Sequence, residues 1–448
     1  MRLTWVQPTD LLRHELRQSA AEGRDVRSIA DRWAAAGGEV EPPHSGYSED
    51  LGTPAQRKLA HRLLDELDAM PEVGTDEEPS EWPAIQALLT PTEVPTAHGD
   101  LDDRLLGAWY GRAVGCLLGK PVEKIPRAGI EEILRATGRW PLDRYFTAQG
   151  LPDHVAARWP WNRRSRTTSL EENIEGMPED DDLNFTLMAL RLVEEHGLDF
   201  TPTNVARSWL DDLPGGRVFT AERVTYRNLL EGVSPPDTAR IRNPFREWIG
   251  AMIRADLYGW VVPGQPLRAA ELAWRDACVS HTRNGIYGAL FVAGMSSAAV
   301  CGADVDTVLD AGRSVVPPHS RMAAAIDLGR SIGRSHPHPK EAYPLLEQAF
   351  PDMHWVHSLN NAALIAYSLT ASRGDFGPAI CLAVMGGWDT DSSGATVGAV
   401  TGALCGSREL PPYWVDPLRG RLASSIPGCD DSKFTDLADR TRGLVSLP

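Results

Sequence analysis

The chain has 448 residues, 42% hydrophobic and 24% charged, enough for one large domain with an appendage or for two or three average domains. Its formal net charge is -16, but twelve Asp or Glu and no Lys or Arg lie between Asp65 and Asp103, so that one stretch carries -12 of it. A charge so local reads as a solvated acidic linker and argues against nucleic-acid binding. No apolar run approaches the roughly 18–20 residues that span a membrane, and the opening Met1-Arg2-Leu3-Thr4-Trp5 lacks the apolar core of a signal peptide. The six cysteines (116, 278, 301, 381, 405 and 429) are scattered and read as reduced thiols, so the sequence predicts a cytoplasmic protein.

Helical apolar spacing comes first over residues 10–21 and 54–70, separated by a Pro/Gly/Ser stretch over 37–48. Residues 71–100 are rich in Pro, Glu and Asp and read as a linker or a loosely held strap. From Leu101 onward long segments show helical periodicity and almost none alternates as a half-buried strand does. Leu183, Leu187, Leu190 and Val193, for example, mark one helix face. The sequence therefore predicts an all-α protein, with a helical extension and acidic linker over 1–99 and a catalytic domain over 100–448.

Gly107, Gly111, Gly115 and Gly119 lie four apart, as do Gly394, Gly398, Gly402 and Gly406. At 3.6 residues per turn each series forms a slowly winding stripe. Glycine inside a helix costs about 1 kcal/mol against alanine, so the stripes predict two helices whose backbones touch.

Two acidic turns carry the chemistry. Glu179-Asp180-Asp181-Asp182 stands directly before the predicted helix near Leu183. One Asp there is an N-cap, but four adjacent acids exceed capping and call for a counter-charge. Gly386-Gly387-Trp388-Asp389-Thr390-Asp391-Ser392 stands before the second striped helix. All-oxygen donors suit Mg²⁺, Mn²⁺ or Ca²⁺ better than zinc. The Asp389 turn is not an EF-hand, because Val400 occupies the position of the bidentate Glu. A phosphate loop fails at Gly115–Lys120, which is one residue short and followed by Pro121. Neither a Rossmann glycine fingerprint nor a Gly-x-Ser-x-Gly elbow is present.

Together these segments resemble the ADP-ribosylglycohydrolase family over about residues 100–410. The stretches 103–108 and 119–123 resemble its opening helix, Asp180–Asp182 its Thr-Asp-Asp metal motif, and 386–392 its Gly-Gly-Asp-Thr-Asp-Thr motif. Asp180 stands where the family has Thr, Leu183 where it has a second Thr, Ser392 where it has Thr, and Trp388 is inserted after Gly387. The resemblance implies an all-helical fold with two Mg²⁺ ions (or Mn²⁺) in a central cleft that binds an ADP-ribosyl or ribosyl substrate. It implies metal ligation by Asp180, Asp181, Asp182, Asp389, Asp391 and Ser392. Proton transfer or water orientation falls to Glu123, with Asp181 and Asp182 as further candidates for the base. Gly250, Arg254 and His281 fall where the family contacts its ligand, Arg254 being a candidate partner of pyrophosphate and His281 of a phosphate or ribose oxygen.

Outside these motifs, Trp388, Trp159 and Trp161 are candidates to stack on a planar ring, and Arg158, Arg163, Arg164 and Arg166 to rim an anionic pocket or form a solvated basic loop. The expected activity is hydrolysis at a ribosyl anomeric carbon of an ADP-ribosylated protein or small molecule. The alternatives are a hydrolase of a small N-riboside related to NAD, which a narrow pocket closed by the N-terminal region would favour, and a silent ADP-ribose-binding protein. The sequence carries no sign of oligomeric state.

Overall fold

The two glycine-striped segments form the helices Leu101–Gly119 and Thr390–Cys405, which lie antiparallel and almost wholly buried. In this computed structural model, which describes residues 3–94 and 99–446, a Cβ on Gly111 would stand 2.0 Å from the Gly398 carbonyl oxygen, and one on Gly115 would stand 1.9 Å from that of Gly394. Gly107 faces Gly402 in the same way, at 2.2 Å. Any larger residue would push the helices apart, so the propensity lost to glycine is exchanged for main-chain contact. The stripe differs from expectation at its ends. Gly119 meets the backbone of Thr390, and Gly406 lies one residue past the helix with φ +80°.

Around this pair pack further buried helices, notably Arg283–Ala299 and Ser358–Ser372, the latter against Arg321–Ser335. Among the described residues the one sheet is a two-stranded antiparallel pairing of Arg421–Leu422 with Ser432–Lys433. The protein is all-α. Leu183, Leu187, Leu190 and Val193 are buried on one face of the helix Asp181–His196, as their spacing predicts. The six cysteines are all free thiols. None of the described helices is long and apolar enough to cross a membrane.

The first 94 residues form the helices Pro8–Ala21, Arg27–Ala35, Pro54–Asp68 and Trp82–Leu88 and are built into the body. Trp5 packs edge-on against Phe245 and Trp248, with ring centroids at 5.6 and 6.2 Å. Arg246 is buried between Glu15, at 2.7 Å, and Glu22, at 2.8 Å.

Most carboxylates of the acidic stretch are exposed over its described part, but the stretch is tied to the body at several points, and residues 95–98 lie outside the described residues. Glu78 is 5% exposed and pairs with Arg283 at 2.7 Å and Arg321 at 2.8 Å. Glu72 and Glu81 share Arg240, each at 3.1 Å, and Asp65 holds Arg242. Trp274 and Tyr287 donate to the carbonyls of Ser80 and Pro79. The strap is therefore tied down by distant arginines that local sequence does not reveal.

Candidate active site

The helix pair brings the two acidic turns together. Asp180 has extended backbone and caps the Asp181–His196 helix, its Oδ1 accepting from the Asp182 amide at 3.0 Å. Its other oxygen takes the ammonium of Lys120, the residue directly after the first striped helix. Both oxygens of Asp180 are thus engaged within the protein. Asp389 precedes the Thr390–Cys405 helix and donates its amide to Asn361 Oδ1 at 3.2 Å. Thr390 donates its hydroxyl to the Gly119 carbonyl at 2.9 Å, which fixes the second turn on the end of the first helix. Ser392 Oγ reaches Asp182 Oδ2 at 3.2 Å and joins the two turns. Both turns sit at helix N-termini, where the backbone favours negative charge.

Electrostatics sets these carboxyls apart. Burial first, then Asp180 and Asp391, push Asp181 well above the usual carboxylate range. Burial and Asp180 do the same to Asp182, and burial and Asp391 to Asp389. Burial, Glu123 and Asp180 push Asp391 up to about 7. Lys120 behaves oppositely: burial opposes its charge, but Asp180 and its neighbours hold the ammonium protonated. Arg112, wholly buried in the first striped helix, donates to the Asp182 carbonyl at 2.9 Å, to Thr186 Oγ1 at 2.8 Å and to Asp256 at 2.7 Å. Asp181, Asp389 and Asp391 have no ion-pair partner among the described residues.

That excess of buried carboxylate fits a bound cation, the counter-charge the residues themselves do not supply. Carboxylate and hydroxyl oxygens suit a hard divalent ion. Ligand atoms of Asp180, Asp182 and Cys116 lie within 4.8 Å of one another, but burial and the adjacent Asp180 push the Cys116 thiol up, and a protonated thiol is a poor donor to such an ion.

Glu123 is half-buried at the rim of the cluster. Asn162 Nδ2 donates to its Oε2 at 2.5 Å, and the Lys124 ammonium lies 3.2 Å from its Oε1. The arginine-rich segment 158–166 therefore brings Asn162 to this rim, while Arg158 pairs with Glu132 at 2.9 Å. Trp159 Nε1 also bonds Glu132, at 2.7 Å, instead of presenting its polar edge to a ligand.

Arg254, His281 and Gly250, where the resemblance implies substrate contacts, are buried. Arg254 is 1% exposed, paired with Glu222 at 2.7 Å and Asp276 at 2.5 Å, and lies over the Trp209 ring at 4.9 Å. Its charge is matched inside the core by these two carboxylates. Gly250 is small because a Cβ would stand 2.1 Å from Glu222 Oε1. His281 is 1% exposed and bonds Ser280 Oγ at 2.7 Å, and burial and Arg254 keep it neutral. Trp388, by contrast, lines a cleft pocket and has φ 60°.

Sequence reasoning missed Arg112, Asn361 and Asn162, and met Lys120 within a failed phosphate-loop pattern and the opening-helix resemblance without giving it a role. Lys120 had a signal, since four adjacent acids demand a cation. The asparagines had none.

An all-helical body brings carboxylates together at two helix N-termini, an arrangement able to hold a hard cation. Residues 97–447 match the family model described as ADP-ribosylglycohydrolase. The chain belongs to that family and is a glycosyl hydrolase. Among solved structures, one titled "ADP-ribosylglycohydrolase-related protein complex" is similar at 19% identity, covering 77% of this chain and 97% of that one, with a TM-score of 0.44. The search of curated proteins returns no match.

Proposed function

We propose that the chain hydrolyses the bond between a ribosyl anomeric carbon and its leaving group in an ADP-ribose-type substrate, with Mg²⁺, or Mn²⁺ in its place, held between the acidic turns. One observation carries the metal dependence: Asp391 raises both Asp181 and Asp389, and none of the three has an ion-pair partner among the described residues. Asp181, Asp182, Asp389 and Asp391 would hold two ions, with Ser392 adding a hydroxyl oxygen. Asp180 contributes chiefly by anchoring Lys120 and capping its helix. Bound there, divalent ions supply Lewis acidity toward ribose hydroxyls and an attacking water.

The other steps belong to the protein. Positive charge builds on the anomeric carbon as the leaving group departs, and the carboxylates beside it stabilise that charge. Glu123, oriented by Asn162 and Lys124, is the base that takes the water proton on its Oε1.

Hydrolysis in ¹⁸O-labelled water with Mg²⁺ present tests this reading. The label is expected on the anomeric hydroxyl of released ribose or ADP-ribose, with the pyrophosphate whole. Label on phosphate, or AMP among the products, would overturn it. Tight ADP-ribose binding without turnover on any linkage would leave a silent binding protein.

A further inference from the structure

Beside the acid cluster lies a pocket of about 420 Å³, within the range of small-molecule sites. One side is formed by the residues that follow Glu123 and precede Asp389, including Lys124 and Trp388. Both are non-glycine residues in left-handed backbone, with φ of 73° and 60°. Such strain persists where surrounding structure imposes it, commonly at ligand sites. Lys124 also feels Glu123, Asp391 and Tyr47, which links this pocket to the acid cluster and to the N-terminal segment.

The facing rim is contributed by Arg17, Pro42 and His44. These residues precede residue 97, where the family match begins. They are firmly set. The His44 carbonyl accepts from Trp355 Nε1 at 3.0 Å, and Arg17 donates to the Asp352 carbonyl at 3.1 Å and to Glu41 at 2.5 Å. Between the two sides, His354 stacks on Trp248 with ring centroids 4.2 Å apart, and burial, with His14 and His44 beside it, keeps its ring neutral.

We propose that the N-terminal segment is the selecting wall of this pocket, restricting the enzyme to free small-molecule ribosyl substrates whose leaving group packs against Trp355 and Trp388. The proposal rests on the hydrolase reading above. A folded protein carrying the same linkage must approach past the rim made by Arg17 and His44. A specific protein interface needs about 800 Å² from each partner, and a pocket closed on this side by a fixed segment offers a small-molecule site in its place.

The experiment uses the full chain with Mg²⁺. ADP-ribosyl-arginine and ADP-ribosyl-serine are each supplied as the free amino acid and on a folded carrier protein, alongside a ribosyl pyridinium nucleotide. The expected kcat/KM is at least about 100-fold higher for free compounds than for carrier-linked ones. The double variant R17A/H44A keeps the main-chain anchor at His44 and should narrow that ratio by about 10-fold or more. Retained metal content and circular dichroism check that the variant is folded. Equal turnover of free and carrier-linked substrates overturns the wall while leaving the hydrolase reading intact. A ratio unchanged in the folded variant overturns it too. Turnover of nothing in the panel overturns the hydrolase reading and the wall with it.

Discussion

Where the first 94 residues meet the body, the buried glutamates have their arginines. Glu15 and Glu22 grip Arg246, and Glu78 and Glu247 share Arg321 at 2.8 and 2.9 Å. In the cleft, Asp180 has Lys120 and Asp182 lies 3.4 Å from Arg112, but Asp181, Asp389 and Asp391 stand without an ion-pair partner among the described residues. Burial is similar in both regions, and the balance of charge differs. A matched buried cluster is architecture, while an unmatched one is a site waiting for a cation.

The most damaging way to test that contrast is to neutralise the cleft. Asp391→Asn or Asp182→Asn should each cut turnover more than about 100-fold, beyond the loss expected for removing a partner of a metal ligand. The metal-free variants should melt no lower than the parent, because repulsion is relieved. Combining the two should cost far less than the product of the single losses. Losses that simply multiply, with metal content unchanged by elemental analysis, would separate the turns into independent sites.

The same substitution logic at the seam should act on stability alone. Arg246→Met leaves Glu15 buried without its ion pair and Glu22 with Arg24 alone, which should cost roughly 3 kcal/mol by denaturant titration. The purified variant should still bind metal stoichiometrically. Exhaustive chelation should do the converse, abolishing turnover and lowering the melting temperature, with Mg²⁺ or Mn²⁺ restoring both. An ion at 100 times its Kd contributes about 2.7 kcal/mol. Full activity after chelation, with no bound metal, would remove the dinuclear reading.

A change of shape should matter almost as much as a change of charge. Gly111→Ala gains helix propensity of about 1 kcal/mol, but its Cβ would stand 2.0 Å from a carbonyl oxygen that cannot swing aside. The net loss should reach about 3 kcal/mol, the upper end of ordinary overpacking.

A pH dependence is also expected at the seam. His14 bonds the Gly46 carbonyl at 2.8 Å and is lowered from 6.5 to about 4, chiefly by burial. The unfolded chain therefore binds a proton below pH 6.5 that the folded chain refuses until about pH 4. Stability from this group is full above pH 6.5 and is lost as pH falls through that window, by up to about 1.4 kcal/mol per unit. Subtracting the melting curve of His14→Phe isolates it from Asp68 and Asp256, which are raised to about 6 and respond in the opposite sense. A difference independent of pH between 4 and 6.5 would show that His14 is charged in the fold.

Much of this was legible in the chain because it repeats or clusters. Four-residue glycine spacing specifies a helix face, and two such faces specify each other. Adjacent aspartates before an apolar helix specify a capped, charged turn. Arg112 carries no such mark: one arginine in an apolar helix looks like a surface residue until Asp256, Thr186 and Asp182 close around it. The partners of Arg254 were hidden for the same reason, since Glu222 and Asp276 reach it only through tertiary folding. The strap over 71–94 looked loosely held because its counter-ions, Arg240, Arg283 and Arg321, lie far along the chain.

The glycine-lined helix pair has one more consequence. The gap between the two acidic turns is gauged by main-chain atoms in contact, so it does not vary with rotamer hopping or with the size of neighbouring side chains. The loops that rim the pocket are under no such constraint. Selectivity can therefore drift, or be engineered, by rebuilding those loops while the hydrolytic centre keeps its calibration.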